Sequence, residues 1–280
     1  MRLLVAIASA LLCVAGFKTY AQTTTGTSNV RAESQHFAVH VFRGGPTAGD
    51  VLKLCEASRI ELQRVWNADN APKSWSPRCE VFVHATREQY LRAVGQGGGQ
   101  TRGSSLIQID NHKVMARRID LLMDSRAGLT ALPHELTHVV LADRFLDQPP
   151  PHWLDEGIAM LADIRQKQLL HSRDCQEALA SRTALSLAQL LTLEQFTSAD
   201  QMPAFYGQSL SLVQMLAHRG DPPKIVAFGI DARKVGYDRA LRKHFAIEGT
   251  ADLERHWLKH VSSMPSMQPP QPVVMVSFQP

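Results

Sequence analysis

The sequence predicts an α+β chain, with a small twisted mixed sheet and interleaved helices in its first half and a mostly helical second half. Two patterns predict it. As far as Leu122, short segments alternate apolar and polar residues between turn-forming clusters, whereas beyond Leu129 the apolar residues recur at helical spacing almost throughout. Composition agrees: 280 residues that are 44% apolar and only 20% charged can bury a core, which excludes wholesale disorder and fibrous repeats.

Taken in order, Arg2 is followed by an uncharged apolar run from Leu3 to Phe17 and then by Thr19-Tyr20-Ala21. Residues 1–21 therefore read as a cleavable secretory signal peptide, because a run of 15 is shorter than the ~20 residues that span a bilayer. Leu12 stands before Cys13 where lipid attachment would need a small residue. The expectation is an exported protein (periplasmic, cell-envelope or secreted) without stable membrane insertion after cleavage. Residues 22–264 then form one domain, and the proline-rich stretch 265–280 forms a loose tail.

HFAVHVF at residues 36–42 reads as a strand, 49–66 as a helix, 79–84 as a second strand and 88–94 as a short helix. Residues 95–105 hold five glycines and read as a loop. It lacks the Gly-Lys-Ser/Thr of a phosphate cradle and runs into a strand, so a phosphate role is not expected. Residues 104–109 and 113–122, joined through Asp110-Asn111-His112, read as a hairpin. Thr130 is placed to cap a helix whose first turn tolerates Pro133. Further helices are expected near 152–164, 166–180, 203–219, 236–246 and 250–262. With export, Cys55 on a helix and Cys79 on a neighbouring strand are expected to pair as a disulfide; buried thiols are the alternative.

The formal charge is +4, and removing Arg2 and Lys18 leaves 28 basic against 26 acidic residues. With no polybasic cluster, nucleic acid is not an expected partner. The 12 histidines beside only 6% aromatic residues direct attention to metal or proton chemistry.

That chemistry is concentrated in LPHELTHVVLADRF, where His134, Glu135 and His138 form H-E-x-x-H in an otherwise apolar helix. Four residues at ~100° each place both imidazoles on one face a turn apart, a chelating geometry for one ion. Glu135 lies beside them, able to reach a metal-bound water without being a ligand. A catalytic zinc takes a third protein ligand, for which Glu156 in HWLDEGIAMLAD is the candidate. Pro149-Pro150-Pro151 forces a reversal that returns the second helix antiparallel to the first. Asp155 is the rival ligand, rotated by ~100° off the metal-facing side.

H-E-x-x-H followed, after 17 intervening residues, by Glu156 within W-L-D-E-G resembles the gluzincin zinc metallopeptidases, most closely their peptidase-MA-like and aminopeptidase-N-type branches. The specific part of the likeness covers about residues 130–165. It implies a zincin-like fold with the metal held between sheet and helical half, one Zn2+ per chain on His134, His138 and Glu156, and Glu135 as general base. It also implies a later tyrosine as oxyanion stabiliser, for which Tyr206 is the candidate. His171 is a weaker candidate for the same task. The chain departs from the family in lacking a G-x-M-E-N segment and in having Met160 where thermolysin-like enzymes carry Asp. Asp163 reads as a solvated helix-end carboxylate rather than a partner of the ligands.

The expected function is an exported zinc metallopeptidase, an endopeptidase acting on a peptide or protein substrate through a zinc-bound water activated by Glu135. The alternative is a non-catalytic extracytoplasmic zinc-binding or scaffold protein. The strand 104–110 is expected to accept an extended peptide by strand addition, and the 95–105 loop to act as a mobile lid. Trp66 and Trp75 read as packing residues, Arg117 and Arg118 as structural ion-pair partners of Asp120 or Glu88. Oligomeric state is not legible.

Overall fold

The computed structural model describes residues 3–7, 30–68, 71–123 and 128–263. The proline-rich tail, Cys13 and most of the segment read as a signal peptide lie outside the described residues. The fold is α+β, with one small mixed sheet and a mostly helical remainder. The chain divides into two compact units, residues 1–60 with 73–139 and residues 61–72 with 140–280.

The first unit holds the strands β1 (Leu3–Ile7), β2 (Val30–Glu33), β3 (Phe37–Val41), β4 (Cys79–His84), β5 (Gly103–Asp110) and β6 (Lys113–Leu122). Their order in the sheet is β1-β5-β6-β4-β3-β2. β3 pairs parallel with β4 and β4 parallel with β6; the other pairs are antiparallel. The parallel step from β3 to β4 needs a long crossover, which α1 (Ala48–Trp66) supplies. β5 and β6 turn tightly at Asn111 and His112, both at positive φ (49° and 57°), as the twist of a two-residue hairpin requires. α2 (Arg87–Val94) starts at Thr86, whose side chain accepts a hydrogen bond from the Gln89 N–H, and stops at Gly95.

β4 alternates cleanly: Cys79, Val81 and Val83 are buried, while Glu80, Phe82 and His84 reach the other face. That second face carries a cross-strand ladder. His40 stacks on Phe82 with ring centroids 4.5 Å apart and lies 2.7 Å from Glu80, and the Arg118 guanidinium sits 4.3 Å over the Phe82 ring. Asp120 accepts hydrogen bonds from Arg118 at 2.6 and 2.8 Å and lies 2.7 Å from His84 Nε2. Burial works to raise the Asp120 carboxyl, but the hydrogen bonds from Arg118 and His84 outweigh it and hold it below the usual value. Arg118 is thus the expected ion-pair partner of Asp120. Arg117 donates to the Pro77 carbonyl and lies 5.0 Å over Trp75, with Arg59 5.7 Å from the same ring.

Several expectations are corrected. Cys55, Cys79 and Cys175 are free thiols, all buried. Cys55 is close enough for its charge to oppose that of Cys79, yet no bond joins them, and burial holds both thiols in the protonated form. The glycine segment is not loop throughout: Gln96–Gln100 forms a 3₁₀ turn, and β5 begins at Gly103. β1, which pairs with β5 from Ser105 to Ile109, lies within the segment read as a cleavable signal peptide. The helix expected to be capped by Thr130, α3 (Leu132–Ala142), begins two residues later, so Ala131 precedes it.

The second unit contains α4 (His152–Met160), α5 (Arg165–Ser181), α6 (Leu187–Thr192), α7 (Gln201–Ala217), α8 (Pro222–Val235), α9 (Tyr237–Phe245) and α10 (Thr250–Ser263). α7 is buried along almost its whole length and packs against α4 and α5. The contact with α4 depends on Gly157: a Cβ there would lie 2.7 Å from the Ser209 carbonyl oxygen and 2.5 Å from Val213 Cγ2. Glycine therefore lets the two helix backbones meet at the position next to Glu156. No helix among the described residues is long and apolar enough to cross a membrane.

Candidate metal centre

α3 is apolar nearly all round, and Leu132, Leu136, Val139, Val140 and Leu141 are buried. Its four polar core positions, His134, Glu135, Thr137 and His138, therefore need a reason. Thr137 has a local one, since its hydroxyl donates to the Pro133 carbonyl at 2.8 Å. His134 and His138 project from one face with ring centroids 5.0 Å apart and planes at 76°. The i, i+4 spacing produces this stacking of positions directly.

Glu156 completes the group. One ligand atom from each of His134, His138 and Glu156 lies within 4.8 Å of the others, and all three residues are buried. Burying a carboxylate and two imidazoles is costly unless charge or coordination compensates, so a bound cation gives this cluster a physical rationale. Two imidazole nitrogens and one carboxylate oxygen are the donor set of catalytic zinc sites, which hold ligands at about 2.0–2.2 Å and keep a further position open. The three residues could hold a metal ion.

Glu156 lies four residues after His152, inside α4, which starts directly after Pro151. His152 Nε2 stands 3.9 Å from Glu156 Oε1, one helical turn away. Sequence reasoning overlooked His152, although its i, i+4 spacing to Glu156 was the available signal. Its ring packs 4.6 Å from Phe205 and 5.7 Å from Phe196, which fixes it beside the carboxylate. Asp155, the rival ligand, is also buried but belongs to no group of potential ligands among the described residues. Asp163 is not solvated: it is buried and paired with Lys167 at 2.9 Å.

Glu135 is buried at 5% exposure and stands at the start of α3, its N–H donating to the Ala131 carbonyl. Tyr206 is half-buried on α7, within an aromatic cluster: its ring lies 5.4 Å from Phe205, 6.0 Å from Phe196 and 5.9 Å from His171. The structure thus brings His134, His138 and Glu156 together, and places the two oxyanion candidates, Tyr206 and His171, beside each other. His171 also lies 3.5 Å from Asp174.

No known family model matches the chain, and no curated protein matches it in sequence.

Proposed function

We propose that the chain is an exported zinc metallopeptidase that hydrolyses internal peptide bonds. The observation that supports this reading most strongly is the buried carboxylate of Glu135 next in sequence to the buried group His134, His138 and Glu156. A metal held only for structure gains nothing from a buried base beside it, whereas a hydrolytic site requires one.

His134 and His138 bind through neutral imidazole nitrogens, and Glu156 adds one negative charge, so the ligands leave a bound dication net positive. When bound, zinc supplies Lewis-acid polarisation of the scissile carbonyl and acidifies water toward a pKa of ~7. Glu135 accepts a proton from the attacking water as its oxygen adds to the carbonyl carbon. It then delivers that proton to the departing amine as the C–N bond breaks, so the carboxylate is regenerated each turnover. Tyr206 donates its phenolic hydrogen to the oxyanion of the tetrahedral intermediate, with His171 beside it to steady the ring. The apolar shell of α3 excludes bulk water, which strengthens each of these interactions.

Metal removal tests the reading. Peptide hydrolysis by the purified chain is expected to vanish after chelation and to return with stoichiometric zinc. Zinc-loaded protein that cleaves no member of a broad peptide library would instead leave a non-catalytic metal-binding module.

A further inference from the structure

The carboxylate of Glu135 rests against the backbone of β5. A Cβ built on Gly103 would lie 2.6 Å from both Cγ and Oε1 of Glu135 and 2.9 Å from Ala131 Cβ. Side chains do not approach that closely, so the slot occupied by the carboxylate exists because residue 103 carries no side chain. Its backbone φ is not what demands glycine, since Gly103 is absent from the positive-φ positions.

Gly103 is itself held in place from α2. Tyr90, fully buried, donates its hydroxyl hydrogen to the Gly103 carbonyl at 2.6 Å and lies 2.6 Å from Thr101 Oγ1. Arg87, one turn earlier on α2, donates to the carbonyls of Gly98 and Thr101. The segment that delivers the chain into β5 is therefore tied to α2 at three carbonyl groups. Burial pushes the Tyr90 phenol up, the Thr101 hydroxyl partly offsets this, and the charge of Glu135 adds to the rise. The phenol stays a proton donor over the working pH range, and the carboxylate is near enough to be felt.

We infer that Tyr90 and Gly103 are positioning residues for Glu135: Tyr90 holds the first residue of β5 by its carbonyl, and Gly103 leaves the slot that sets where the carboxylate points. Neither residue supplies a metal donor or exchanges a proton itself. The inference rests on the proposed role of Glu135 as general base. A carboxylate displaced by about 1 Å from its proton partner loses on the order of a hundredfold in rate while ground-state binding persists. The cost therefore falls on kcat.

Two variants of the purified chain, Tyr90→Phe and Gly103→Ala, test this. Tyr90→Phe keeps the ring and removes only the hydroxyl; kcat is expected to fall about tenfold with KM within about twofold and metal content unchanged. Gly103→Ala is expected to lower kcat about a hundredfold. In a Glu135→Gln background Tyr90→Phe is expected to have no further effect, because it acts through the carboxylate. A crystal structure of Gly103→Ala supplies a readout independent of turnover, with Glu135 displaced and His134 and His138 unmoved. If the wild-type chain hydrolyses nothing, that displacement still supports the positioning role and only the enzymatic reading falls. An unmoved Glu135, wild-type kcat in Tyr90→Phe, or an equal rate loss with and without Glu135 would overturn the inference.

Discussion

Replacing Glu135 with Gln is expected to reduce peptide hydrolysis by about 10²–10⁴-fold, the range that a positioned general base contributes, while the chain keeps its metal. The substitution is nearly isosteric, so the slot beside Gly103 stays filled and α3 keeps its packing. What disappears is the ability to accept a proton at the attacking water and return it to the leaving amine. Steady-state kinetics with a cleavable peptide, alongside metal content, separates the outcomes. A large loss in kcat with full metal occupancy fits a base. Unchanged hydrolysis removes Glu135 from the mechanism, and metal loss makes it a structural neighbour of the ligands.

Trp153→Ala is expected to destabilise the chain by about 3–5 kcal/mol, as large aromatic-to-alanine substitutions in packed cores do. Trp153 has no exposed surface, sits in the first turn of α4 and packs its ring 6.5 Å from Phe228. Its indole N–H donates to the Tyr237 hydroxyl at 2.9 Å, and that hydroxyl donates to the Leu191 carbonyl at 2.9 Å. Burial pushes the Tyr237 phenol up to about 12, with the Trp153 hydrogen bond working the other way, so the phenol remains a donor. Truncation removes the indole volume and one hydrogen bond to a buried hydroxyl together. Urea unfolding measures it: the midpoint should fall with the slope unchanged. A loss below about 1 kcal/mol would mean that this core collapses around the gap. Trp153→Phe, which retains part of the ring volume, should cost less.

The readable parts of the fold were those whose determinants are local. The alternation in CEVFVH, the helical spacing from Ala48 to Trp66 and the paired runs around Asn111-His112 each state their structure within a few residues. α8 was missed because Pro222-Pro223 reads as a breaker. In fact Asp221 accepts from the Lys224 N–H, and both prolines fall in the first turn, where no intrahelical amide is needed. β2 was missed because VRAE is short and half charged; as an outer strand it needs no buried second face. The cysteine pairing failed for another reason. Adjacency in the fold was anticipated, but whether two buried thiols bond depends on geometry that spacing along the chain does not encode.

The candidate site was similarly divided. His134 and His138 declare themselves through i, i+4 spacing, and Glu156 through its motif on the next helix. Gly103 was hidden in a glycine-rich stretch that reads as loop, and nothing near it in sequence announces that Glu135 packs against it. Tyr90 looked like one more aromatic on a short helix, since its bond to the Gly103 carbonyl spans two separate elements.

The central claim is that His134, His138 and Glu156 hold one metal ion. Metal analysis of the purified chain, wild type beside His138→Ala, tests it most directly. The account predicts one zinc per wild-type chain and none in the variant, because two remaining ligands bind too weakly to survive purification. A wild-type chain that contains no metal and takes up none from added zinc would contradict it.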